Sequence, residues 1–140
     1  MEFTLDRFRN AHESSYEIAL KEIRGGQKQS HWIWYIFPQI RGLGRSAVAQ
    51  YYEIQNKAEA IAYWEDPVLS EHLREISQEL LKLDGPIYRI LGYVDSLKLR
   101  SCMTLFAAVT GEPVFDAVLR KFFDGETDGY TLDKLSEEAF

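Results

Sequence analysis

The hydrophobic positions of this chain recur mainly at steps of three and four residues, the spacing of one helix face. The first stripe ends before Gly25-Gly26, a common helix stop, and comprises Leu5, Phe8, His12, Tyr16, Ala19 and Ile23. Asp66-Pro67 is a strong helix start, since an N-cap acceptor precedes proline at the first helical position. Strand-like alternation is scarce, so the pattern predicts an all-α fold.

Other capping and stop signals divide the rest of the chain into further helices. Their predicted starts are at Ser46, Asn56, residue 86, Asp95 or Ser96, Pro113 and Thr131. No internal repeat and no linker rich in Gly, Ser or Pro interrupts this series. We therefore expect a compact multihelical single domain over residues 1–140, with about six to eight helices.

One segment does not follow the helical spacing. Six apolar residues run unbroken from Trp32 to Phe37, and Pro38 ends the run. A run this short is compatible with a buried strand or with a buried helix, and periodicity does not separate the two. Ser30 as an N-cap and the helical surroundings favour a helix, because a lone strand would lack pairing partners.

The composition is that of a folded domain. Of the 140 residues, 46% are hydrophobic, 27% are charged and 14% are aromatic, which argues against disorder. No window approaches the ~18 apolar residues of a membrane span, and the N-terminus lacks a signal-peptide pattern. Cys102 is the only cysteine, so no intrachain disulfide is possible. We expect a cytoplasmic protein with no membrane partner.

Charge is distributed unevenly along the chain. The net charge is −6, yet residues 21–45 contain five basic residues and a single acidic one. A local positive field within an acidic protein favours a small anionic ligand over long nucleic acid, which the surrounding negative surface would repel. The alternative is that these basic residues are ordinary solvated surface charges.

The polar residues that flank the apolar run form the first candidate site. Lysine and arginine can pair with phosphate or carboxylate, glutamine can read an amide or a base edge, and glycine allows close backbone approach. His31 is a candidate acid or base near neutral pH. The candidate ligand-binding residues are Lys28, Trp32, Trp34, Gln39, Arg41, Gly42, Gly44 and Arg45. The alternative for the aromatic residues is that they are simply core.

A second candidate segment spans residues 95–106. In a helix, Lys98 and Ser101 share a face, Asp95 lies one turn before them, and Thr104 follows. A lysine grouped with small hydroxyl residues is a plausible anion site, with Asp95 as a second candidate catalytic group. The alternative is ordinary capping by Asp95 together with a surface ion pair to Lys98.

Known cofactor and metal signatures are missing from the sequence. There is no P-loop, and Gly42-Leu43-Gly44 is only a fragment of a dinucleotide-binding motif. The three histidines, His12, His31 and His72, do not have metal-ligand spacing. We therefore expect no metal and no cofactor.

The stretch Ser30 to Gln39, followed by Gly42-Leu43-Gly44, resembles the signature of a family of small, mostly bacterial proteins. This family is domain of unknown function 1810, whose members sometimes carry the label calpastatin. The resemblance extends over nearly the whole chain and includes Asp66-Pro67-Val68-Leu69 and Asp95 with Lys98. It implies a compact, all-helical single domain and brings no established reaction or catalytic residues.

Two functional hypotheses remain open, and whether the protein is an enzyme is undecided. The first is a pocket for a small anionic, nucleotide-like ligand of the ADP-ribose or NAD type, with possible hydrolytic activity. The second is a non-catalytic regulatory module that binds a protein or a ligand at the same surface. The varied polar chemistry around the aromatic run favours the first. The sequence contains no indication of the oligomeric state.

Overall fold

A computed structural model describes residues 4–138, and nine helices lie within that range. They are α1 Asp6–Arg24, α2 Ile33–Ile36, α3 Ala47–Tyr52, α4 Lys57–Glu65, α5 Pro67–Leu81, α6 Ile87–Leu91, α7 Tyr93–Thr110, α8 Pro113–Phe123 and α9 Gly129–Ser136. The all-α prediction is confirmed, although the helices outnumber the expected six to eight. Three of them are short, since α2, α3 and α6 have 4, 6 and 5 residues.

Helix α7 lies at the centre of the packing. It contacts α2, α4, α6, α8 and α9, and every residue from Ser101 to Phe106 is buried. A helix that is buried on all sides needs small or apolar side chains around its circumference, which Cys102, Met103 and Leu105 provide. The outer pair, α1 and α5, packs on the other side of this core, and α5 also contacts α8.

The predicted start of α5 is confirmed by its hydrogen bonds. Asp66 is the N-cap, and its Oδ1 accepts hydrogen bonds of 3.0 Å from the backbone N–H groups of Val68 and Leu69. Arg9 of α1 pairs with the other carboxylate oxygen, which ties the start of α5 to α1. These contacts satisfy backbone donors that the first turn of a helix leaves unpaired.

The predicted caps of α7 and α9 are wrong. Gly92 precedes α7, and its positive φ of 87° lets the chain reverse between α6 and α7, so Asp95 and Ser96 lie inside the first turn. Ser96 donates its hydroxyl hydrogen bond back to the Gly92 carbonyl, at 2.6 Å. At α9 the N-cap is Asp128, which accepts from both the backbone N–H and the hydroxyl of Thr131.

The apolar run forms a short helix, as predicted, over Ile33–Ile36. The expected N-cap is wrong: Trp32 occupies that position without a side-chain capping bond. Ser30 instead donates its hydroxyl to the carboxylate of Glu22, at 2.5 Å. Beyond α2 the chain runs past Ile54, exchanging backbone hydrogen bonds of 2.9 Å on either side of Ile40. A fully buried segment can therefore leave helical geometry with its peptide groups paired.

A pair of histidines joins α1 to α5 and α2. Nε2 of His12 lies 2.7 Å from the Tyr35 carbonyl oxygen, so it carries a hydrogen and donates. Its Nδ1 then accepts from Nδ1–H of His72 at 3.0 Å. The Tyr16 ring stacks on His72 with centroids 3.6 Å apart. Burial lowers the pKa of His12 to about 4, against the raising effect of the Tyr35 carbonyl, and also lowers the pKa of His72.

Acidification should weaken the fold through this pair. Unfolded His12 takes up a proton below pH 6.5 while the folded form stays neutral to about pH 4, so the free energy of unfolding falls across that window. The loss is on the order of 3 kcal/mol. Urea unfolding at several pH values between 7 and 4 measures how steeply the free energy of unfolding falls with pH. This slope should be smaller in His12→Gln than in the wild type. His31→Gln, at an exposed position, should keep the wild-type slope. Equal slopes in all three proteins would contradict the assignment.

Candidate functional site

A buried ion pair connects the two segments that contain the candidate residues. Nζ of Lys28 lies 2.9 Å from Oδ2 of Asp95, and the lysine side chain is only 8% exposed. The same ammonium group lies 5.1 Å from the Trp32 ring centroid, within reach of a cation–π interaction. The backbone N–H of Lys28 also donates to the Ile90 carbonyl. These contacts fix the segment before α2 against the start of α7.

Asp95 has a second cationic neighbour. Nζ of Lys98, one turn later on α7, lies 3.6 Å from Oδ1 of Asp95. Each carboxylate oxygen therefore faces an ammonium group, and neither lysine is fully exposed. This arrangement gives Asp95 a positioning role as the counter-ion of two lysines.

Lys98 also lines a cavity of about 280 Å³. It is bounded by the chain after α2, by residues 94–101 of α7 and by the N-cap of α9. Its lining residues are Gln39, Leu43, Val94, Leu97, Lys98, Arg100, Ser101 and Asp128. We name it the Gln39–Arg100 cavity. Three residues that the sequence placed in two separate candidate segments, Gln39, Lys98 and Ser101, thus meet at one cavity.

The Gln39 side chain has unused hydrogen-bonding capacity. The residue is 8% exposed, and its backbone carbonyl accepts from Ile54 at 2.9 Å. Its side-chain amide makes no hydrogen bond with any group in residues 4–138. The amide atoms retain some accessible surface, since they are not among the fully buried side-chain atoms without a partner over this range. Two N–H donors and one carbonyl acceptor are thus available at the cavity.

Arg100 is similarly unsatisfied. Its terminal nitrogens lie 3.9 Å from Glu126 and 3.8 Å from Asp128, distances that exceed those of hydrogen bonds. Its Nε is buried and, among the described residues, has no hydrogen-bonding partner. Neither Arg100 nor Asp128 was among the site residues predicted from the sequence. Arg100 and Thr104 are spaced by four residues on one face of α7, a signal that would have placed the arginine beside the candidate hydroxyl groups.

The two candidate hydroxyl groups differ in what they do. Ser101 lines the cavity and donates to the Leu97 carbonyl at 3.1 Å, so its oxygen can still accept. Thr104 is buried, donates to the Arg100 carbonyl at 2.8 Å and accepts from the backbone N–H of Asp128 at 2.9 Å. Thr104 therefore holds the loop before α9 against α7.

The remaining candidates lie away from the cavity lining. Trp32 is 1% exposed and donates from Nε1 to Glu22, while Trp34 packs half-buried against the core. The candidates whose side chains are exposed are His31, Arg41 and Arg45. Trp32 and Trp34 therefore contribute to the core rather than to the cavity lining.

The two candidate glycines are required by packing. Gly42 has a φ of 107°, and a Cβ at this position would collide with the Tyr130 hydroxyl of α9. A Cβ on Gly44 would lie 2.5 Å from the Cβ of Ala49. The N–H of Gly42 donates to the buried carboxylate of Glu53 at 2.5 Å. Both glycines thus allow the loop after α2 to lie against α3 and α9.

A larger cavity of about 460 Å³ lies on another side of the molecule, along the C-terminal half of α1. Its acidic group, Glu22, accepts hydrogen bonds from Gln29, Trp32 and both donors of Ser30. Desolvation raises the pKa of Glu22, but these hydrogen bonds outweigh it and lower the pKa to about 2. Its charge is already satisfied, so we place the site in the Gln39–Arg100 cavity.

Other chemical possibilities find little support in residues 4–138. Burial raises the pKa of the Cys102 thiol well above its usual value, so the thiolate nucleophile is disfavoured. Over this range no group of three His, Cys, Asp or Glu side chains is arranged to hold a metal ion. The helices described there include none with the length and apolarity needed to cross a bilayer.

Comparison with known proteins supports the family resemblance. The model of the family described as "Protein of unknown function (DUF1810)" matches residues 2–135. Among solved structures, the crystal structure of the conserved hypothetical protein Rv1873 from Mycobacterium tuberculosis is 40% identical in sequence. The match has a TM-score of 0.93 and covers 96% of this chain and 97% of that chain. A search of curated proteins gives no match.

The role of Asp95 as a counter-ion predicts a large loss of stability in Asp95→Asn. This change leaves the buried Lys28 ammonium without its closest anion, and we expect unfolding to become easier by about 2–3 kcal/mol. Asp116→Asn breaks the exposed pair with Arg120 and should cost less than ~0.5 kcal/mol. Urea denaturation at pH 7 measures both. A similar small effect in the two variants would show that the ion pair does not fix the segments.

Proposed function

The chain belongs to the DUF1810 family of proteins of unknown function, and we propose that its Gln39–Arg100 cavity binds a small anionic ligand. The observation that carries this proposal is the unmet hydrogen-bonding capacity of Gln39 and Arg100 at one cavity. A fold gains nothing by burying Arg100 Nε without a partner, and the Gln39 amide presents unused donors and an unused acceptor at the same cavity. A ligand that supplies those partners accounts for both groups.

The charge of the cavity supports an anion. Its lining contains two cations, Lys98 and Arg100, and one carboxylate, Asp128. The protein as a whole has a net charge of −6, so this positive lining is local. Such a site attracts a small anion, while the surrounding negative charge disfavours a long polyanion.

The chemistry of Arg100 supports a phosphate or a carboxylate as the anionic group. A guanidinium group presents donors in a planar fork that matches two oxygens of either group. Here Glu126 and Asp128 lie too far away to use those donors. Lys98 adds a second positive charge, and the Ser101 oxygen adds an acceptor for a protonated ligand oxygen.

The size and rim of the cavity favour a compact ligand with an apolar or ring portion. Its volume of about 280 Å³ lies just below the ~300–1,000 Å³ of ligand pockets. Val94 and Leu97 form an apolar wall, and the exposed Tyr93 ring precedes them. A nucleotide of the ADP-ribose or NAD type would place one phosphate-bearing half inside and the other half along this rim.

The arrangement supports binding more directly than hydrolysis. Asp95 is held between two lysines, and neither Asp95 nor His31 belongs to the cavity lining given above. A hydrolytic reaction would need a general base within hydrogen-bonding distance of the substrate or its attacking water. Neither of the two bases predicted from the sequence meets this requirement, and the carboxylate at the cavity is Asp128. A non-catalytic, ligand-binding regulatory role is therefore the second candidate function.

Loss of the guanidinium group should weaken anion binding. Isothermal titration calorimetry with inorganic phosphate and with AMP measures this effect. The affinity of Arg100→Gln should be at least about tenfold weaker than that of the wild type, which is the cost of one charge-assisted hydrogen bond. Arg120→Gln removes the same charge from the exposed face of α8 and should bind as the wild type does. Absence of saturable binding to the wild type, or equal binding by both variants, would overturn the proposal.

A further inference from the structure

We infer that the ligand of the Gln39–Arg100 cavity carries a hydroxyl group beside its anionic group, as a sugar phosphate does, and that Asp128 selects it. This inference rests on the proposed function and names the ligand class for the same site. It starts from Asp128, the one carboxylate in the cavity lining, because only one of its two oxygens is used in capping α9.

The two oxygens of Asp128 have different environments. Oδ2 caps α9 and accepts from the backbone N–H and the hydroxyl of Thr131, at 3.0 and 2.6 Å. Oδ1 accepts no hydrogen bond from any group in the described chain, and its cationic neighbour Arg100 is 3.8 Å away. The side chain is only 15% exposed. Oδ1 is thus a shielded acceptor whose capacity is open at the cavity.

Asp128 is fixed in this position from both sides. Its backbone N–H donates to Thr104 in the buried face of α7, and its side chain closes the first turn of α9. Rotating the carboxylate away from the cavity would break the capping bonds to Thr131. A ligand therefore meets a preorganised acceptor, with the Arg100 donors next to it.

A ligand must satisfy both partners at once. An anionic group on Arg100 and Lys98 would lie close to Oδ1 of Asp128 and be repelled unless a hydrogen-bond donor lies between them. A hydroxyl on the ligand supplies that donor. An ammonium group also would, but it would add a third cation beside Lys98 and Arg100, which like-charge repulsion disfavours. The Gln39 amide can both donate to and accept from a second hydroxyl.

The test compares ribose 5-phosphate with inorganic phosphate by calorimetry. The wild type should bind ribose 5-phosphate about tenfold or more tightly than phosphate, the gain of one hydrogen bond to a charged acceptor. In Asp128→Asn the cap is kept and the acceptor charge is lost, so phosphate should bind more tightly and the preference should fall to about threefold or less. Asp133→Asn, which removes a charge from an exposed position of α9, should keep the wild-type preference.

The outcomes separate the two proposals. Equal, Arg100-dependent binding of both probes by the wild type would leave the proposed function standing and overturn this inference. Binding of neither probe would overturn the proposed function. The role of Asp128 would be overturned if Asp128→Asn kept the preference for ribose 5-phosphate over phosphate. It would also be overturned if the free amino acid glycine, which offers an ammonium group in place of a hydroxyl, bound more tightly than ribose 5-phosphate. Should Asp128→Asn fail to fold, Asp128→Ser supplies the same test, since serine is also a good N-cap.

Discussion

The ion pair between Lys28 and Asp95 is the contact on which the site depends. It is largely withdrawn from water, and a charge in such a place must be paired. The pair brings the chain before α2 onto the first turn of α7, which sets the distance between Gln39 and Lys98 across the cavity. Glu22 also anchors this segment, because its carboxylate accepts hydrogen bonds from N–H groups in residues 29–32, which lie outside any helix. Acidic groups thus determine where the basic segment lies.

The polar side chains of the fold differ in whether they have hydrogen-bonding partners. Within the described fold, Asp66 and Glu22 each accept hydrogen bonds at both carboxylate oxygens. The Gln39 amide makes no hydrogen bond there, Arg100 Nε is buried without one, and both residues line the same cavity. This contrast separates the functional interpretation of the polar residues from a purely structural one. Trp32 of the signature differs from Gln39 and Arg100, because it is buried and its indole N–H donates to Glu22.

Local patterns in the sequence predicted the helices well. The stripe of α5 and its Asp66-Pro67 start need no tertiary information, because capping and periodicity act within a few residues. The site was predictable only in part. Lys98 and Gln39 were candidates from their chemistry, whereas Arg100 and Asp128 acquire their roles through a contact between Thr104 and the loop before α9, 24 residues away. The need for glycine at position 42 likewise comes from packing against α9.

A ligand that completes the hydrogen bonding of Gln39 and Arg100 should change the environment of both side chains. Titration of ¹⁵N-labelled protein with inorganic phosphate, followed by NMR, observes the Gln39 side-chain amide and the Arg100 Nε–H directly. We expect these two signals to show the largest, saturable shifts, with smaller ones at Ser101 and Asp128. Largest shifts at the α1 cavity, around residues 18–29, or none at the two side chains, would contradict it.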